Sequence, residues 1–194
     1  IIILKQFVPY SSIGIYSLGV TLAGMLWIIP DSFKEVLFNK TAKSDSIDEI
    51  LFGIKFNVAV STIIIFGFLF LGQSFINLVY GKAFIDSYTV SAILFIGTIP
   101  MIFFKMINTL YIANGNQKIS FKILLVSVII NVVLNYLFIP RYGIIAAAIT
   151  SVASYTVCGI VMLLTFTKKY GVAIKDAFYP NKNELIRLKK LLKR

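Results

Sequence analysis

The sequence has no histidine, one cysteine and eight acidic residues among 194 positions, and each scarcity closes off a kind of chemistry. Without histidine the commonest general base and metal ligand is missing. A lone Cys158 supports neither a disulfide framework nor a thiolate metal cluster. Between Glu49 and Asp176 the one carboxylate is Asp86, so paired acids for proton transfer, or for a proton or Na⁺ relay, are not on offer there. No glycine-rich phosphate loop opens a helix, and Asn114-Gly115-Asn116 reads as a turn. The chain is therefore read as a non-enzyme that needs no cofactor and no metal. Charged residues make up 14% of the sequence, well below the roughly 25% of soluble domains.

What the sequence has instead is apolar length. Hydrophobic residues account for 58% of positions and the mean hydropathy is +0.89. They lie in long uncharged runs, so the bilayer is the expected solvent. A net charge of +11 could point to nucleic acid, but the basic residues collect in short loops and at the C-terminus, which argues against it. Because a charge is costly at mid-bilayer, the uncharged intervals locate the spans. Five are expected, at 6–30, 56–81, 87–111, 123–140 and 142–167, with Lys105 the only charge inside one of them. Each is long enough for a tilted helix, which needs about 17–25 residues. The fold class is thus all-α, a polytopic membrane helical bundle over residues 1–170. The chain opens on Ile1-Ile2-Ile3 without a leader pattern and reads as a fragment whose first residues end a preceding span.

Orientation follows from the basic residues. Placing the loop after the first span in the cytoplasm puts fifteen lysines and arginines inside and leaves Lys5, Lys82 and Arg141 outside. The segment 171–194 then becomes a cytoplasmic basic tail. Within it Leu185, Leu188 and Leu192 share one helical face and Arg187, Lys190 and Arg194 another, the pattern of an amphipathic helix held on anionic membrane lipids. The polar loop from Asp31 to Glu49 has room for a short surface helix at most.

Three polar residues inside spans are the candidate substrate-binding residues. Lys105 either faces a hydrated cavity and holds an anionic group or extends its stem to the inner boundary. Asn131 and Asn135, four apart, stack on one helical face, where they can bind sugar or phosphate or join helices. The rows Gly143, Ala147, Ser151 and Ala146, Thr150, Ser154, Cys158 read as packing surfaces.

In order and spacing, several pieces resemble the C-terminal half of polysaccharide-biosynthesis exporters, the O-antigen or capsule repeat-unit flippases of the multidrug/oligosaccharidyl-lipid/polysaccharide superfamily. They are Ile13-Gly14-Ile15-Tyr16-Ser17 with Pro30 closing the span, Leu78-Val79-Tyr80-Gly81-Lys82-Ala83-Phe84, Ala113-Asn114-Gly115-Asn116, Asn131-Val132-Val133-Leu134-Asn135 running to Ile139-Pro140, and Gly143-Ile144-Ile145-Ala146-Ala147-Ala148-Ile149-Thr150. The resemblance implies part of a two-bundle transporter in a bacterial inner membrane, with the C-terminus cytoplasmic. Its expected substrate is an undecaprenyl-diphosphate-linked oligosaccharide moved by alternating access, and its expected partners include a polysaccharide polymerase and other assembly proteins. Lys105 is the span residue suited to a diphosphate. Rival readings are a lipid II flippase, a multidrug or cation antiporter of the same superfamily and, from another class, a membrane polysaccharide polymerase or ligase.

Overall fold

In the computed structural model, residues 1–41 and 47–179 are described, and the amphipathic tail expected from Asn183 onward lies outside them. Among the described residues there are no strands. Five helices follow in order: α1 (Tyr10–Leu26), α2 (Ile28–Thr41), α3 (Ile47–Tyr80), α4 (Ser87–Ala113) and α5 (Gln117–Tyr170). Among the described residues four stretches are long and apolar enough to cross a membrane: Tyr10–Phe38, Ile47–Tyr80, Ser87–Ala113 and Gln117–Tyr170. Helix is the outcome the sequence demands, since a backbone in hydrocarbon must satisfy its own N–H and C=O groups.

Helix α4 is the centre of the bundle and the others surround it. One apolar core joins its second half to α2, α3 and the end of α5, through Ile50, Ile54, Ile102, Met106, Ile107, Leu110, Met162 and Phe166. A second joins its first half to α1 and the middle of α5, through Ile13, Leu26, Val90, Leu94, Phe95 and the Ala146, Ala147, Ala148 run. The outer faces are apolar as well: Phe66, Phe70, Leu71 and Leu78 of α3, and Leu125, Ile129, Val133 and Leu137 of α5, are all exposed. A surface of that composition would aggregate in water and is at home in lipid.

Helix α5 is a hairpin. Straight, its 54 residues would reach about 80 Å, far beyond the hydrocarbon thickness of about 30 Å. At Gly143 the backbone leaves helical geometry, with φ 59° and ψ −138°, and the chain turns back. The arms 117–142 and 144–170 then meet: Asn131 Nδ2 lies 3.3 Å from Ser154 Oγ, 23 residues away. Arg141 sits beside this corner, where charge and turn coincide.

The helix bounds depart furthest from the sequence expectation around Pro30 and at the start of α3. Pro30 does not close the first helix: α1 ends at Leu26 and α2 begins two residues later, with Pro30 in its first turn, where a missing N–H is tolerated. The polar stretch from Asp31 is correspondingly helical to Thr41, and α3 starts at Ile47, nine residues before the apolar interval at 56. Hydropathy marks where a helix enters hydrocarbon, and a helix with charged ends continues past that point.

Candidate functional site

A series of polar and aromatic side chains runs from Lys105 of α4, past the α1–α2 junction, to Asn135 of α5. Lys105 is on α4, and its ammonium donates to Asp31 Oδ2 of α2 at 2.7 Å. The same ammonium lies 4.4 Å from the centroid of the Trp27 ring, at the junction of α1 and α2, a cation–π distance. Trp27 in turn meets Tyr155 of α5 edge to face, with centroids 5.6 Å apart. The Lys105 side chain is 13% exposed and that of Asp31 is 44% exposed, so the lysine is the fixed member of the pair and the carboxylate the accessible one.

From Tyr155 the series continues along the α5 hairpin as a line of hydrogen bonds with a single direction. Thr150 Oγ1 donates to Asn135 Oδ1, Asn135 Nδ2 to Asn131 Oδ1 at 2.9 Å, Asn131 Nδ2 to Ser154 Oγ at 3.3 Å, and Ser154 Oγ to the Ser151 carbonyl at 2.8 Å. Each asparagine uses its oxygen once and one of its two N–H groups once, leaving the second N–H for another acceptor. Both asparagines are half-buried, whereas Thr150 and Ser154 are buried.

Three adjoining cavities follow this series. The first, about 240 Å³, is lined by Tyr16, Val20, Ala23, Gly24, Trp27 and Tyr155 among others. Tyr155 also lines the second, about 250 Å³, with Ser127, Asn131, Ser151 and Ser154. Asn131 lines the third, about 400 Å³, with Tyr16, Asn135 and Ala147. The three residues singled out from sequence therefore divide into two places. Asn131 and Asn135 touch each other, and Lys105 stands at the far end, linked to them through Trp27 and Tyr155. A fourth hollow, between Leu134, Phe138, Tyr142, Ile145 and Ile149, is mainly apolar and meets the hydrogen-bond line at Thr150.

Sequence reasoning missed Asp31, because a charge that ends an apolar interval reads as a loop residue. It also missed Trp27 and Tyr155 as linking rings, and it read Thr150, Ser151 and Ser154 chiefly as packing residues, with ligand contact the lesser role. Asn57 was not singled out either: it is buried on α3, where its amide donates to the Gly53 carbonyl at 2.8 Å, a packing role. Among the described residues no group of acids and cysteines is arranged to hold a metal.

A family model described as the lipid II flippase MurJ matches residues 4–190, almost the whole sequence. The chain belongs to the lipid II flippase family. This places it in the superfamily of the sequence resemblance and in the family named there as a rival reading. A capsular polysaccharide biosynthesis protein, CapF of Staphylococcus aureus, is 29% identical over 82 residues, covering 42% of this chain and 21% of that protein. An uncharacterised membrane protein of Methanocaldococcus jannaschii is 24% identical over 159 residues, covering 80% of this chain and 38% of that protein. The chain thus spans well under half the length of these curated relatives. No solved structure matches it. With four long apolar helices among the described residues, the match makes this a multi-pass membrane protein of that family.

Proposed function

We propose that the protein moves a polyprenyl-diphosphate-linked saccharide across a bacterial inner membrane by alternating access, without covalent chemistry, and that Lys105, Asn131 and Asn135 lie on the surface that meets the substrate. The observation that carries the reading is the series of polar and aromatic side chains lining adjoining cavities, with a cation at one end and amides at the other. Such a substrate has that same division: a diphosphate that seeks a cation, and sugars that exchange hydrogen bonds with amides and hydroxyls and lay their C–H faces on aromatic rings. Differential affinity of these side chains in inward-open and outward-open states would drive the rocking of one bundle against another. The accompanying reading is five spans, with α5 supplying two, a cytoplasmic C-terminus on anionic lipids, and contact with a polymerase and other assembly proteins.

The family match favours lipid II as the carried molecule, and the capsule-biosynthesis relative favours an oligosaccharide repeat unit. Complementation separates the two: one host is depleted of its lipid II flippase, and another lacks its repeat-unit flippase. Growth in the first assigns lipid II, and restored surface polysaccharide in the second assigns the repeat unit. In whichever host responds, Lys105→Arg should keep appreciable activity, while Lys105→Ala should lose most of it and Lys105→Glu more. Full activity of well-expressed Lys105→Ala and Lys105→Glu would remove Lys105 from the site.

A further inference from the structure

The environment of Lys105 carries more than a binding role. Its ammonium is held between two partners, the Asp31 carboxylate at 2.7 Å and the face of Trp27 at 4.4 Å. The second oxygen of the same carboxylate, Oδ1, is 3.7 Å from the ammonium of Lys34, one turn further along α2. One carboxylate therefore spans two lysines, an oxyanion bridging two cations. Lys105 is 13% exposed, whereas Asp31 and Lys34 are 44% and 42% exposed, so two of the three groups can move without opening the core.

We infer that Asp31 is a built-in competitor for the anion site, occupying Lys105 and Lys34 until a multiply charged oxyanion displaces it. The inference rests on the lipid-diphosphate reading above and adds the residue that sets the threshold for binding. A lysine this buried is costly to leave unpaired, so the favourable route is exchange of one anion for another, not an empty interval between them. A diphosphate carries more charge than one carboxylate and presents oxygens on two phosphorus atoms, so it can span the same two ammoniums and outcompete the aspartate. A neutral sugar cannot do so, and a singly charged anion gains little. Asp31 therefore makes the site selective for the diphosphate class. It also supplies a returning partner that helps expel the ligand after translocation. When the carboxylate swings out, α2 loses its ionic tie to α4, so occupancy of the site is coupled to the seating of α2.

The test measures inorganic pyrophosphate binding by calorimetry, with the protein in nanodiscs of zwitterionic lipid so that anionic headgroups do not compete. Removing the competitor with its shape kept, Asp31→Asn, should tighten pyrophosphate binding about tenfold, because the site is no longer occupied for most of the time. It should also admit inorganic phosphate, which the unaltered protein binds poorly. Asp31→Glu, which keeps a competing carboxylate, should stay near the unaltered affinity. Lys105→Ala should abolish binding and Lys34→Ala should weaken it. If Lys105→Ala abolishes binding while Asp31→Asn leaves it unchanged or weaker, the competitor role is overturned and the lysine site stands. If Lys105→Ala binds as well as the unaltered protein, the lysine reading itself fails. A readout independent of Asp31→Asn folding comes from Trp27, the single tryptophan of this sequence. Its emission, taken as the difference from Trp27→Phe, should shift as pyrophosphate saturates the unaltered protein, and an unchanged spectrum at saturation would also overturn the exchange.

Discussion

Gly159 of α5 meets the Pro100 carbonyl of α4 with no room for a side chain: a Cβ placed there would lie 2.0 Å from that oxygen. Backbone, not a flexible side chain, is the obstacle, so the two helices would have to separate. Gly159→Ala should destabilise the protein by about 1–3 kcal/mol, the usual range for overpacking. Thermal melting in detergent reads this directly. Gly67→Ala, on a part of α3 where an added Cβ meets nothing within 4 Å, is the control and should leave melting unchanged or slightly raised.

Gly143 makes the opposite kind of demand. A Cβ there would have only Val8 at 3.8 Å, ordinary contact, but φ 59° with ψ −138° belongs to a region that side-chain-bearing residues avoid. Gly143→Ala should therefore cost about 1–3 kcal/mol through the backbone alone. Gly143→Asn should cost as much, because asparagine's tolerance extends to the left-handed helical region at positive ψ and not to this one. Recovery of melting temperature by asparagine would show that the corner is an ordinary left-handed turn.

The asparagine line separates packing from binding. Asn131→Ala and Ser154→Ala in a double-mutant cycle should show a coupling of about 0.6 to 2 kcal/mol, the range for hydrogen bonds between membrane helices. Asn135→Ala should reduce transport more than tenfold while changing stability by only about 1 kcal/mol if its spare N–H serves the substrate. Transport that falls only in proportion to folded protein would assign Asn131 and Asn135 to helix joining.

Topology is open to thiol labelling, because the native Cys158 is buried and gives little background. A cysteine at Asp86 should react with an impermeant reagent in intact cells, and one at Asn116 should be protected. The reverse pattern would invert the orientation of the bundle.

How much of this was legible beforehand depended on which residues carried the information. The start of α4 at Ser87, the turn at Asn114 to Asn116 and the corner near Arg141 are visible in sequence, since a charge or a Gly-Asn turn interrupts hydrocarbon there. The break at Trp27 and the extension of α3 to Ile47 are not, because a helix can run into water without a change of hydropathy that marks its end. The four-residue spacing put Asn131 and Asn135 on one face, as found. Their pairing with Ser154 and Thr150 depends on the register of the α5 hairpin, which no local pattern encodes. The Lys105 to Asp31 contact joins residues 74 apart, and it exists only because α2 lies against α4.

The line from Thr150 to Ser154 has a further property. Hydroxyls and amides can each give or accept, so the series is self-consistent in either sense: with both amides turned over, Ser154 would give to Asn131, Asn131 to Asn135 and Asn135 to Thr150. Turning Asn135 alone sets oxygen against oxygen, and turning Asn131 alone sets nitrogen against nitrogen, so either breaks the link between the two amides while the hydroxyls at the ends adapt. The two asparagines therefore reverse together, like coupled compass needles, and a group that docks at one end fixes the polarity presented at the other.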